Sequence, residues 1–148
     1  MSPIILAYIG VALMIGLCGI ASSIGTAIAG MSAVGAMKKN KGAFGNYLVL
    51  SALPGSQGLY GFVCYFLIRD FLVPEITYVQ AAGIFAGGLI IGSVSLVSSY
   101  LQGRVCANGI TAIGNGHNVL GNTLILAAYP ELYAILGVAT VFLIGQSI

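Results

Sequence analysis

The chain has 148 residues, 59% of them hydrophobic and 5% charged, and its mean hydropathy is +1.06. Five basic and three acidic side chains cannot cover a water-facing surface of this size, so composition excludes a soluble domain and points to an integral membrane protein with no nucleic-acid partner. The net charge of +2 decides little; the positions of the charges decide more. Glycine is abundant, with 22 residues, and in membranes it lets helix backbones approach closely. Met1 to Gly16 places no basic residue ahead of its apolar run, which argues against a cleaved signal peptide. Cys18, Cys64 and Cys106 sit in separate apolar segments without metal-ligand spacing and read as small packing residues.

In chain order, four apolar stretches are expected to be helices, over about 3–37, 43–68, 76–113 and 119–146. At ~1.5 Å per residue each exceeds the ~30 Å hydrocarbon core of a bilayer. Lys38-Lys-Asn-Lys41 joins the first two, Arg69 to Glu75 the second and third, and Gly114-Asn-Gly-His-Asn118 the last two. The lysines mark the first loop as cytoplasmic, which puts loops 38–42 and 114–118 on that side and both termini on the other. His117 reads as a solvated turn residue. Ala21, Gly25, Ala29 and Ala33 follow one another at i+4, as do Gly83 and Gly87, and later Ser95, Ser99, Gly103 and Ala107. Small residues at that spacing mark close helix contact, either inside a four-helix monomer or along the crowded inner wall of a ring. The bulkier second and fourth spans would then lie outside.

The chain also repeats itself. Gly45-Asn-Tyr-Leu-Val-Leu-Ser-Ala-Leu-Pro-Gly55 aligns with Gly121-Asn-Thr-Leu-Ile-Leu-Ala-Ala-Tyr-Pro-Glu131 at a constant offset of 76. The offset continues through Gly61/Gly137 and Phe66-Leu-Ile/Phe142-Leu-Ile, and slips to 74 at Ala33/Ala107. Two membrane hairpins of like orientation, residues 1–72 and 73–148, are therefore expected, fused head to tail. The fold class is all-α, with four transmembrane helices. Glu131 has no counterpart in the first half, where Gly55 stands.

Glu131 is the one carboxylate within any apolar span, and it lies near the middle of its span with Pro130 before it. An acid there costs roughly 2.5–3.5 kcal/mol on insertion scales and usually marks an ion pathway; the bland alternative is an acid satisfied by a polar neighbour for structural reasons. In the second span Leu53, Ser56, Gln57 and Tyr60 share a helix face at i, i+3, i+4 and i+7, and Ser95, Ser98, Ser99 and Gln102 do so in the third. Pro54 leaves the carbonyl of Leu50 without its helical partner, so a kink is expected there. Gln102 and Glu131 lie 15 and 14 residues from His117, so a closed hairpin brings them level. One carboxylate, two amide oxygens and a hydroxyl can thus converge at one depth. Oxygen ligands suit a hard monovalent cation. A proton carrier needs only the carboxyl, with Gln57, Gln102 and Ser56 as extra polar groups, so spacing favours Na⁺ and leaves H⁺ as the alternative. Tyr60 can donate its hydroxyl to Glu131, or be a packing aromatic.

At Leu53-Pro-Gly-Ser-Gln-Gly-Leu-Tyr-Gly-Phe62 and Glu131-Leu-Tyr-Ala-Ile-Leu-Gly137 the chain resembles the duplicated membrane proteolipid (the c or K subunit) of V-type and A-type rotary ATPases, most closely its bacterial sodium-translocating members. The resemblance runs over nearly the whole chain. It implies Na⁺ ligands at Leu53 (through its carbonyl), Ser56, Gln57, Gln102 and Glu131, with Tyr60 bonding the glutamate. It also implies a homo-oligomeric ring in a bacterial plasma membrane, in contact with lipid. That ring would turn against a stator subunit bearing a basic residue and would meet a central-stalk subunit at the cytoplasmic loops. Ser56 stands where Thr is common, and Arg104 where Lys is expected, two residues from Gln102 and on a different helix face. The chain has no Gly-rich Walker sequence, so it is not expected to be an enzyme by itself; ATP chemistry would belong to partner subunits. A stand-alone tetraspan channel or transporter and a structural assembly protein are the rivals. The single retained acid disfavours both, because a pore usually repeats its charge around the axis.

Overall fold

The computed structural model describes all 148 residues. Helix α1 spans Pro3–Met37, α2 Phe44–Ala52, α3 Ser56–Ile68, α4 Tyr78–Gly114 and α5 Leu120–Ser147. The first, third and fourth expected spans are single helices, long and apolar enough to cross a membrane. The second, expected as one kinked helix over 43–68, is a bent helix in which a 3₁₀ turn at Leu53–Gly55 joins α2 to α3. Loss of the Pro54 N–H starts the bend, and side chains from other helices complete it. Ser99 Oγ donates to the carbonyl of Pro54 at 2.9 Å, and Ser22 Oγ accepts from the N–H of Gly58 at 2.6 Å. Those two backbone groups would otherwise bond each other across one helical turn. Ser22 Oγ also donates to the carbonyl of Gly55 at 3.1 Å, so polar backbone at membrane depth is satisfied within the protein.

The centre of the fold is a seam between α1 and α4, which run parallel. Gly10 meets Gly88, Leu17 meets Gly92, Gly25 meets Ser99 and Gly103, and Ala36 meets Gly114, a register held from one end to the other. A methyl on Gly25 would press into the Ser99 backbone carbonyl oxygen and Pro54 Cβ at 2.5 and 2.6 Å. Ala21, Gly25, Ala29 and Ala33 are all buried in the single protomer. Of the two roles open to this small-residue face, it serves the first, contact inside the monomer. Helix α3 lies antiparallel to α1, with Gly61 against Met14 and Cys18, and α5 lies antiparallel to α4, with Gly137 against Ile91 and Gly83 against Ile144.

Two apolar clusters fill the interior. One gathers Met14, Cys18, Cys64, Ile68, Ile84, Ile91 and Val141; the other gathers Tyr47, Leu50, Cys106, Ile110 and Ile113 with the small residues of α1. The three cysteines are free and buried within them. Gln57, Ser95, Ser98, Ser99 and Gln102 are buried at 4% exposure or less and form a polar layer between the two clusters. Burial of so many polar groups is costly unless they are bonded, so their partners define the site. The α4–α5 connection closes on Gly116, the one residue with positive φ, at 93°. Its N–H bonds the Ile113 carbonyl at 3.0 Å and that of His117 bonds Ala112 at 3.1 Å, which stops α4 with a left-handed glycine after its cap.

Candidate ion site

The polar layer joins α3, α4, α5 and the 3₁₀ turn at Leu53–Gly55 around Glu131, which is itself partly exposed on α5. Tyr60 of α3 donates its hydroxyl to Glu131 Oε1 at 2.6 Å, and Gln102 of α4 donates from Nε2 to Glu131 Oε2 at 3.0 Å. Both carboxylate oxygens therefore face a hydrogen. No basic side chain reaches the acid. The ion pair of the chain is Arg69–Asp70, at 3.4 Å in the far loop. Arg104 is exposed and stacks over the Tyr100 ring, 5.8 Å from its centre, while Gln102 points inward.

Hydrogen-bond direction can be followed across the whole layer. Gln102 Nε2 also donates to the backbone carbonyl of Ala127 at 2.9 Å, so both of its N–H groups face α5 and its Oε1 faces α3. That oxygen accepts from Gln57 Nε2 at 3.0 Å. The second N–H of Gln57 goes to Ser98 Oγ at 3.1 Å, and Ser98 in turn donates to the carbonyl of Pro130 at 2.8 Å. Gln57 Oε1 is left on the side of Ser56, whose Oγ lies 3.3 Å away and also reaches the Leu53 carbonyl at 3.2 Å. Donors point toward the acid and acceptors accumulate at the 3₁₀ turn.

The structure thus brings Leu53, Ser56, Gln57, Tyr60, Gln102 and Glu131 into one connected layer. The turn at Leu53–Gly55 keeps Leu53, Ser56 and Gln57 on the same side despite the helix break. Ser98 belongs to this layer too, although spacing alone placed it no closer to the site than Ser95 or Ser99. Its polar helix face was the available signal. Its bonds to Gln57 and Pro130 depend on tertiary contacts across 41 and 32 residues. Ser95, one turn away, is buried with no hydrogen-bond partner and marks the edge of the layer. Two open grooves flank it. One of about 560 Å³ runs between α4 and α5 beside Ser98, Pro130 and Tyr133, and one of about 620 Å³ lies outside the turn beside Leu53, Gly55 and Ser56.

Comparison with known proteins adds a family. The family model for the C subunit of ATP synthase matches the chain twice, at residues 9–68 and 85–144, the same offset of 76 that the repeat shows. Among curated proteins, subunit K of the A-type ATP synthase of Methanocaldococcus jannaschii is 33% identical over 145 residues, covering 97% of this chain and 64% of its own length. Subunit K of the V-type sodium ATPase of Enterococcus hirae is 37% identical over 126 residues, covering 85% of this chain and 81% of its own. This chain thus spans just under two thirds of the archaeal relative.

Proposed function

This chain belongs to the ATP synthase C-subunit family, and from that premise we propose that it is a rotor-ring proteolipid of a V/A-type rotary ATPase in which Glu131 carries Na⁺ across the membrane. The observation that carries the sodium reading is the polarity around the acid. Tyr60 and Gln102 each offer a hydrogen to one carboxylate oxygen; Gln102 Nε2 can only donate, so a carboxyl proton would find an acceptor only by turning the Tyr60 hydroxyl round. Hydrogen bonds of that sense favour the ionised form, and a proton on Oε2 would set a donor against the Gln102 amide. The negative charge has no counter-ion in the chain, so a bound cation must neutralise it before the site meets lipid. Leu53 O, Ser56 Oγ, Gln57 Oε1, Gln102 Oε1 and Glu131 offer oxygen alone, the donor set of a hard cation. The sodium ATPase named for the Enterococcus hirae relative supports the same choice.

In operation, copies of this chain form a membrane ring, with residues 1–72 and 73–148 as its two hairpins per protomer. Loops 38–42 and 114–118 face the cytoplasm and the central stalk. With Na⁺ in place the site is neutral and passes through lipid. At the stator, a basic residue of that partner pairs with Glu131, Tyr60 lets go of the carboxylate, and the cation leaves. Each charge crossing 100 mV exchanges about 2.3 kcal/mol, so several steps are summed against each ATP in the partner subunits.

The test is ²²Na⁺ binding to the purified ring across pH, together with dicyclohexylcarbodiimide labelling. The reagent attacks protonated, desolvated carboxyls, so it should modify Glu131, and Na⁺ should protect. Gln102→Ala removes one oxygen and leaves buried partners unsatisfied at about 1–3 kcal/mol, so Na⁺ binding should weaken roughly 5- to 150-fold. Labelling insensitive to Na⁺ at every pH would replace sodium with the proton.

A further inference from the structure

The polarity of the network has a source, and it lies in two backbone carbonyls of α5. A carbonyl can only accept a hydrogen bond. Ala127 O therefore requires Gln102 to turn its Nε2 toward α5, and this orients one of the two amides directly. Gln57 touches no such carbonyl and is fully buried, so some other group must set its direction. Gln102 Oε1, turned toward α3 by the Ala127 bond, is one such group, and Ser98 is the other. Its one hydrogen is committed to Pro130 O at 2.8 Å, which leaves its oxygen able only to accept. It accepts from Gln57 at 3.1 Å, so the amide must present Nε2 inward, and the second N–H then meets Gln102 Oε1 at 3.0 Å. Gln57 Oε1 is thereby turned outward to Ser56 and the Leu53 carbonyl, where a cation would need it.

We infer that Ser98 is a positioning residue for cation selectivity: it relays the direction of the Pro130 carbonyl to the amide of Gln57 and so fixes an oxygen at the ion. The inference rests on the sodium reading above. Ser98 bonds the Nε2 of Gln57 and not its ligand oxygen, and it makes no hydrogen bond to Glu131, so its role differs from that of a ligand. With the hydroxyl gone, one N–H of a buried amide and the Pro130 carbonyl both lose a partner. The amide is then held by Gln102 Oε1 alone, and a half-turn that offers Nε2, a donor, to the cation costs one bond fewer. Proton binding at Glu131 depends on Tyr60 and Gln102, whose bonds to the acid do not involve Ser98.

The experiment uses purified rings and follows dicyclohexylcarbodiimide labelling of Glu131 in two ways: its pH midpoint without Na⁺, and the Na⁺ concentration that half-protects at fixed pH. In Ser98→Ala rings the protecting Na⁺ concentration should rise about 5- to 150-fold while the Na⁺-free pH midpoint stays where it was. Ser98→Thr keeps the hydroxyl, and its added methyl has room because Ser98 borders the open groove between α4 and α5. Protection should return in that variant. If Ala at this position prevents ring assembly, Ser98→Cys takes its place with the same expectation, since a thiol is a weak donor and acceptor. Protection unchanged from the unsubstituted ring, a pH midpoint that moves together with Na⁺ affinity, or no recovery with Thr would each overturn the inference. An unsubstituted ring that Na⁺ does not protect would overturn the sodium reading and this inference together.

Discussion

The two hairpins carry the same layout and answer it differently. Each has an outer helix with a proline at its middle, Pro54 in the first and Pro130 in the second, and each has an inner helix that sets a serine against it. Ser22 donates to Gly55 O, and its repeat counterpart Ser98 donates to Pro130 O. Yet the first outer helix breaks into a 3₁₀ turn, whereas α5 runs on through Pro130. The difference lies in what happens to the next N–H. In the first half Ser22 captures Gly58 N while Ser99 takes Pro54 O, so both ends of one helical bond are drawn away. In the second, a side chain draws on the Pro130 carbonyl, and no side chain captures the N–H of Ala134. A proline removes one bond; a helix breaks where neighbours remove the next one too. The division of labour follows. The broken half exposes backbone and short side chains as neutral oxygens, and the intact half holds the acid on a rigid helix.

That division can be attacked first by moving the acid. Glu131→Gln should abolish ion transport and carbodiimide labelling. A methyl on Gly55 would find its nearest neighbour, Thr26 Cγ2, at 3.7 Å, so a side chain can leave the backbone there. In the combined Gly55→Glu, Glu131→Gln ring, however, Thr26 stands at the repeat position of Gln102 and Leu136 at that of Tyr60. Labelling should reappear at the transplanted carboxyl without Na⁺ protection and without transport. Sodium protection in that ring would show that the halves are interchangeable. A second attack is on the seam that joins them. Gly25→Leu drives a side chain into the Ser99 backbone and Pro54, and overpacking against backbone should cost more than about 3 kcal/mol. The loss should appear as an unfolded protomer in protease digestion, whereas an intact protomer that merely fails to form rings would refute it. The smallest effect is expected at the clamp. Ser22→Ala frees Gly58 N to return to the Pro54 carbonyl, so unfolding in a denaturant series should show a loss of only about 1 kcal/mol. Na⁺ affinity should fall far less than in Gln102→Ala.

The spans were visible in the sequence because a bilayer demands apolar runs of known length, and three of four helices follow those runs closely. The acid and its amides were visible for a related reason: polar groups are rare in such runs, and helical spacing states which share a face. Counting from His117 put Gln102 and Glu131 level, and they lie 3.0 Å apart. The break at Leu53–Gly55 was visible only as a kink, because Ser22 and Ser99 act on it from 33 and 45 residues away. Small-residue spacing declared a close contact without naming its partner, and the partner is the other half of the same chain. The part played by Ser98 was hidden most deeply. It turns on which atom of an amide faces which way, and residue order does not encode that.

The turn at Gly116 is the hinge pin of a pair of calipers whose arms are the stretches of α4 and α5 that end at Gln102 and Glu131. Each arm is about 14 residues, or roughly 21 Å at 1.5 Å per residue. An inserted or deleted residue in one arm slides its tip about 1.5 Å and swings it by about 100° about the helix axis, since 3.6 residues make a turn. The bond between Gln102 and Glu131 does not survive such a swing. Positive φ at Gly116 favours glycine there, and a bulky replacement is strained in that backbone even where nothing crowds it. If the strain is relieved by unwinding a terminal residue of α4, the error is read at the tips as a shift of register. Damage at this exposed turn would then be felt at the acid as a loss of aim, with most of the fold left standing.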